Sequence, residues 1–95
     1  MSTETVPGNN VPCGYEQLAC DTAQPLTVPT NARWAYFRAQ GQTIRIRDDG
    51  TDPSATVGFP LLTTDGNPFV YVGNLRSVRA IAAVAGGLLN ILYYS

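Results

Sequence analysis

Neither histidine nor lysine occurs in this chain of 95 residues, and their absence removes most routes to catalysis near neutral pH. Without an imidazole or a lysine amine, proton transfer falls to a carboxylate of shifted pKa, and the one acidic cluster has no second cluster to form an acid–base pair. Two cysteines, Cys13 and Cys20, complete neither a zinc site nor a nucleophile–base pair without histidine. They read as small buried apolar residues, with a disulfide as the lesser alternative. Charged residues make up 14% and the net charge is -1, so the strong field that gathers nucleic acid or anionic membrane is missing. No apolar run approaches the length that spans a bilayer, and the start MSTETVPGNNVP lacks the basic and apolar segments of a signal peptide. A cytosol-like compartment is the expectation. Glycines fall between apolar runs rather than in a phosphate-cradling loop, so no cofactor, metal, nucleic acid or membrane partner is expected.

Apolar residues are 44% of the chain, enough for a folded domain but a small one. A chain of this size buries about 60 to 70% of the surface it exposes when unfolded. The core is thin, and self-association or a partner surface is a natural supplement. All six basic residues are arginine, which suits protein interfaces; codon usage is the other explanation. Residues 1 to 12 carry little that could enter a core and read as an extended or flexible arm, leaving 13 to 95 as the domain.

Within that domain, short apolar runs recur between turn residues every 8 to 12 positions or so, the spacing of an all-β fold. Strands are expected at Tyr15 to Cys20, Leu26 to Val28, Trp34 to Ala39, Ile44 to Arg47 and Phe69 to Val72. Gly41 reads as a hairpin turn between the third and fourth of these. Near the end, Gly86-Gly87 reads as a second hairpin between 78–85 and 88–94, with a helix over 75–85 as its competitor. The expected fold is a single compact antiparallel β-sandwich or jelly-roll-like domain.

Between Arg45 and Leu61 the run RIRDDGTDPSATVGFPL packs Asp48, Asp49 and Asp52 together, then breaks at Pro53 and Gly58. The spacing does not fit a calcium loop, and Asp49-Gly50 and Asp52-Pro53 are turn pairs beside two arginines. The knot reads as a structural corner built from Asp48, Asp49, Gly50, Asp52, Pro53 and Gly58. Trp34, Tyr36 and Arg38 share one face of a strand. Their aromatics, with Tyr71, Tyr93 and Tyr94, could stack on sugars or bases, or form half of a core. Tyr93 and Tyr94 point to opposite faces, so one of them meets solvent or a partner. The candidate partner interface is Trp34, Tyr36, Arg38, Arg45, Arg47, Arg76, Arg79, Tyr93 and Tyr94.

The order LTVP, RWAYFRAQGQTIRIRDDGTDPSATVGFPL, FVYVGNL and a closing strand ending in LYY resembles a group of small tailed-bacteriophage virion proteins encoded near the capsid genes, over about residues 15 to 95. Its most specific part is the run from 45 to 61, followed by Tyr71-Val72-Gly73 and Leu75. The resemblance implies an accessory structural role, capsid decoration or cement, and transfers no catalytic residue. The implied partners are the major capsid protein or other virion proteins and copies of the chain itself, a trimer first. The implied location is the virion, assembled in host cytoplasm. A tail, collar or fibre module binding a host glycan or receptor is the alternative. Clustered aromatics beside polar groups in a groove would mark the binder; apolar and arginine contacts spread over a shallow face would mark the cement.

If the knot is a corner, millimolar calcium leaves the melting temperature where a chelator leaves it. A calcium-dependent rise of several degrees would reveal a native-state cation site, since a ligand that binds only the folded form stabilises it.

Overall fold

The computed structural model describes residues 10 to 95. Its strands are β1 (Pro12–Ala19), β2 (Gln24–Pro25), β3 (Trp34–Gln40), β4 (Ile44–Arg47), β5 (Phe59–Leu61), β6 (Phe69–Tyr71), β7 (Arg79–Ala82) and β8 (Leu88–Tyr94). They form two four-stranded antiparallel sheets, in the orders β1-β8-β3-β6 and β2-β7-β4-β5. The fold is a β-sandwich. Its pairings are nested: β1 with β8, β2 with β7, β3 with β6 and β4 with β5. Such nesting arises when one long antiparallel ribbon with β4 and β5 at its tip rolls over itself, which is the jelly-roll arrangement.

The rolled path corrects both expected hairpins. β3 and β4 lie in different sheets, as do β7 and β8, so Gly41 and Gly86-Gly87 turn arches across the core rather than hairpins within a sheet. Alternating residues mark which side of a strand is apolar, not whether the next strand lies beside it or opposite it. The arches meet at one end: a Cβ on Gly41 would lie 3.2 Å from the Gly86 carbonyl, and one on Gly87 would lie 2.8 Å from Ala82 Cβ and 2.9 Å from Ile44 Cδ1. The competing helix is reduced to one 3-10 turn, Leu75–Ser77, capped by Asn74. The expected strand at 26–28 is displaced to Gln24–Pro25, with Leu26 turned into the core. β5 forms across Phe59–Leu61, where glycine and prolines read as a break; as an edge strand it accommodates Pro60.

Core side chains come from both inner faces. Ala35, Phe37, Ala39, Leu89, Ile91, Tyr93 and Tyr71 of one sheet meet Ile44, Ile46, Leu61, Ala80 and Ala82 of the other, with Leu75 and Val78 filling one end. All four edge strands carry a proline within them or just before them: Pro12, Pro25, Pro60 and Pro68. A proline removes one amide donor in or beside each edge strand, which disfavours strand addition there.

Of the expected arm, residues 1 to 9 lie outside the described residues. The rest belongs to the sandwich, because the Asn10 amide donates to the Ser95 carbonyl, the Ser95 amide donates to the Val11 carbonyl, and Pro12 pairs with Tyr94. The cysteines are free, Cys20 buried and Cys13 partly so. Cys13 lies near the start of β1 and Cys20 just after its end, and a rise of about 3.3 Å per residue holds them beyond disulfide reach.

Residues 48 to 58 link β4 to β5 by folding back over the outer face of their sheet. Arg45 donates from Nε to the Ala55 carbonyl and from Nη1 to the Gly58 carbonyl, both at 3.1 Å, and Ser54 and Val57 close a turn by reciprocal amide bonds. Gly50 has φ +85 in open space, whereas Gly58 has φ +147 with Arg45 Cβ, Pro53 Cβ and the Ile46 carbonyl 3.0 to 3.3 Å from an added Cβ. Gly50→Val should therefore cost about 1 kcal/mol from backbone strain alone. Gly58→Val should cost roughly 2 kcal/mol or more, because overpacking adds to the strain. Urea melts of the two variants check both the sizes and their order.

Candidate functional site

Alternation sends one set of side chains from β1, β8, β3 and β6 into the core and the other set outward. On the outer face the register aligns Tyr15, Leu92, Tyr36 and Val70 in one row across all four strands. Two residues along, the next row is Gln17, Asn90 and Arg38, and on the opposite side Tyr94 pairs with Trp34. An apolar row thus runs between an aromatic pair and a polar row. Tyr15 is 60% exposed and Leu92 45%.

The aromatic end is rigid. Trp34 stacks on Tyr94 with ring centroids 4.5 Å apart and 14° between planes, and Tyr36 stands edge-on to both, at 5.0 and 5.7 Å. Trp34 is only 3% exposed yet lies outside the core cluster, and its indole Nε1 is buried with no hydrogen-bond acceptor among the described residues. The polar row is equally fixed: Tyr15 Oη donates to Asn90 Oδ1 at 2.5 Å, Asn90 Nδ2 to Gln40 Oε1 at 2.9 Å, and Gln17 Nε2 to both oxygens. Between the rows lies a groove of about 460 Å³ lined by Tyr15, Tyr36, Leu92, Pro68, Asn90 and Arg38.

Trp34, Tyr36 and Arg38 therefore share a face as the alternation suggested, and the register adds Tyr94, rather than Tyr93, to it. The other interface candidates do not join them. Tyr93, 1% exposed, faces the core, where its hydroxyl donates to Glu16 Oε1 at 2.7 Å. Arg45 and Arg47 lie on the outer face of the second sheet, where Arg45 holds the 48–58 loop. Arg47 pairs with Asp49, and Arg79 Nε lies 3.0 Å from Asp52 Oδ1 at an angle that makes an ion pair rather than a hydrogen bond. Arg76 donates to the carbonyls of Pro29 and Thr30, tying the 3-10 turn to that loop. These four arginines bind their own chain, Arg45 and Arg76 through backbone carbonyls and Arg47 and Arg79 through carboxylates. Tyr15, Leu92 and Asn90 were absent from the sequence-derived set because only the cross-strand register puts them beside Tyr36.

At the corner, each aspartate takes a different partner: Tyr71 Oη donates to Asp48 Oδ2 at 2.7 Å, while Asp49 and Asp52 pair with Arg47 and Arg79. No group of three or more histidine, cysteine or acidic residues suited to a metal occurs among the described residues. The hydrogen bond from Arg47, above all, holds the Asp49 carboxyl below its usual range. Burial, reinforced by Asp21, pushes the Cys20 thiol up to about 11, so it stays protonated and unreactive near neutral pH.

No family model, curated protein or solved structure matches the chain.

Burial first, and then the hydrogen bond to Asp48 and its charge, push the Tyr71 hydroxyl up to about 12 from 10.0. A pKa raised in the folded state means the neutral phenol's stabilisation is complete below about pH 10 and is lost as pH rises through about 12. Urea stability should fall over that window in step with tyrosinate absorbance. Tyr71→Phe should flatten part of the fall, because the titrating group is gone. An equal fall in both proteins would contradict the assignment to Tyr71.

Proposed function

We propose that this chain is a non-catalytic recognition module, carried on a bacteriophage particle as an accessory structural protein, whose working surface is the outer face of the β1-β8-β3-β6 sheet. The observation that carries this reading is the cross-strand row of Tyr15, Leu92 and Tyr36 set beside the hydrogen-bonded amides of Asn90 and Gln17. Aromatic rings gathered with a few convergent polar groups in a groove are the architecture of a ligand site. The second sheet is a poorer working surface, since its own loop lies over it and its arginines are spent on that loop. The particle context rests on the resemblance of residues 15 to 95 to phage virion proteins. The sandwich itself does not choose, because jelly rolls serve in both viral shells and lectins.

Capsid cement is the second reading. Val11 and Val72, next to β1 and β6 in sequence and both more than half exposed, add apolar surface of the kind a broad protein contact would require. Such a contact needs on the order of 1,000 Å² in total and admits a trimer of this chain on the head.

The two readings separate on particles that lack the chain. Adding the recombinant protein should restore adsorption to host cells, Leu92→Asp should abolish the rescue, and Arg47→Gln, on the other sheet, should leave it intact. Restored head stability without a change in adsorption would overturn recognition in favour of cement.

A further inference from the structure

The groove on the outer sheet face has a chemical character more specific than apolar. Its floor is carbon: the rings of Tyr15 and Tyr36, Leu92 and Pro68. Its wall is polar and pre-aligned, because Asn90 Oδ1 accepts from Tyr15 Oη while Nδ2 donates to Gln40 Oε1. Arg38 is the one charged residue in the lining, and no acidic side chain lines the groove. The described ion pairs are Arg47 with Asp49 and Arg79 with Asp52, so the Arg38 guanidinium has no carboxylate partner among the described residues. It donates from Nη2 to the Asp65 backbone carbonyl at 3.0 Å, which aims the group without neutralising it. The Asp65 carboxylate accepts from the Leu62 amide through Oδ2 and forms no ion pair with Arg38.

We propose that this groove binds an acidic saccharide, one or two pyranose rings bearing a carboxylate, with the sugar's C–H face on Tyr36 and Leu92, one hydroxyl on the remaining Nδ2 hydrogen of Asn90 and its carboxylate on Arg38. The proposal rests on the reading of this sheet face as a recognition surface and names the ligand class. A pyranose presents an apolar face and a hydroxyl rim. The two rows offer the matching pair of surfaces two residues apart, about 7 Å at the rise of a strand. A volume of about 460 Å³ falls in the range of small-ligand sites and suits one or two sugar rings. As the one charged residue in the groove lining, Arg38 selects for negative charge, since a guanidinium meets a carboxylate with two parallel hydrogen bonds. The fixed tyrosine and amide positions leave little to be ordered on binding.

The experiment titrates the full chain with a hyaluronan tetrasaccharide, which carries glucuronate, and with chitotetraose as the neutral counterpart. Trp34, the single tryptophan and in ring contact with Tyr36, reports by fluorescence, and amide NMR shifts map the site. The expected result is saturable binding of the acidic sugar with Kd of roughly 0.1 to 1 mM, weakening with salt, and at least about tenfold weaker chitotetraose binding. Arg38→Gln should weaken the acidic sugar by about tenfold or more and remove the salt dependence. Tyr15→Ser, at an exposed position, should weaken both sugars while melting stays unchanged. If Arg38→Gln does not fold, the salt dependence of the native chain and Tyr15→Ser still decide.

Equal affinity for the two sugars, shifts that map away from Tyr15 and Asn90, or tighter binding of an oligothymidylate would each overturn the proposal. Absence of any response to the acidic sugar, with adsorption rescue still abolished by Leu92→Asp, would overturn the ligand class and leave the recognition face standing. Loss of both results would remove the face as well.

Discussion

The pairing of the first described strand with the last governs this molecule. β8 lies between β1 and β3, so the sheet that carries the candidate site closes only when residues 88 to 94 have returned to residues 12 to 19 and 34 to 40. Every inner pair of the roll nests inside that outermost one. Closing such distant contacts carries a loop-entropy cost that is recovered only when both inner faces meet, so the thin core forms as one cooperative unit. Gly87 is buried where the two arches meet, and its missing side chain lets them pack against Ile44 and Ala82.

From this roll comes an asymmetry between the two outer faces. The long β4–β5 connection lies back on its own sheet, and Arg45, Arg47 and Arg79 on that sheet hold it there. No described loop is hydrogen-bonded over the opposite sheet in this way, and its outward residues are rings, valine, leucine, amides and Arg38. Prolines at all four edges turn association away from strand addition. Edge chemistry and loop placement thus leave the same surface available.

That surface is well ordered for a face open to solvent. Trp34 is nearly buried although it is not part of the core cluster, and its indole N–H has no acceptor among the described residues, where other buried side-chain polar groups are mostly matched. The tyrosine–amide network reaches across β1, β8 and β3, so one ordered unit spans the face.

Much of the fold was legible in residue order alone. The period-two alternation of Trp34 to Gln40 and Ile44 to Arg47, with turn residues between short apolar runs, specified strands and a sandwich, because a strand's two faces are written directly in its sequence. The corner at 48–58 was legible for the same local reason: Asp-Gly and Asp-Pro pairs dictate turns wherever they occur. Trp34, Tyr36 and Arg38 were visible as a shared face, but Tyr15, Leu92 and Asn90 could not be added to it. Their proximity depends on which strands pair and in what register, and a one-residue slip would reverse every face. Likewise Gly41 and Gly86 announce turns but not arches, and Tyr93 and Tyr94 announce opposite faces but not which one is the core. Local chemistry set the strands and corners. The long-range closure of β1 on β8 decided which side chains meet, because that choice is settled by burying two inner faces at once, a quantity no short stretch of chain contains.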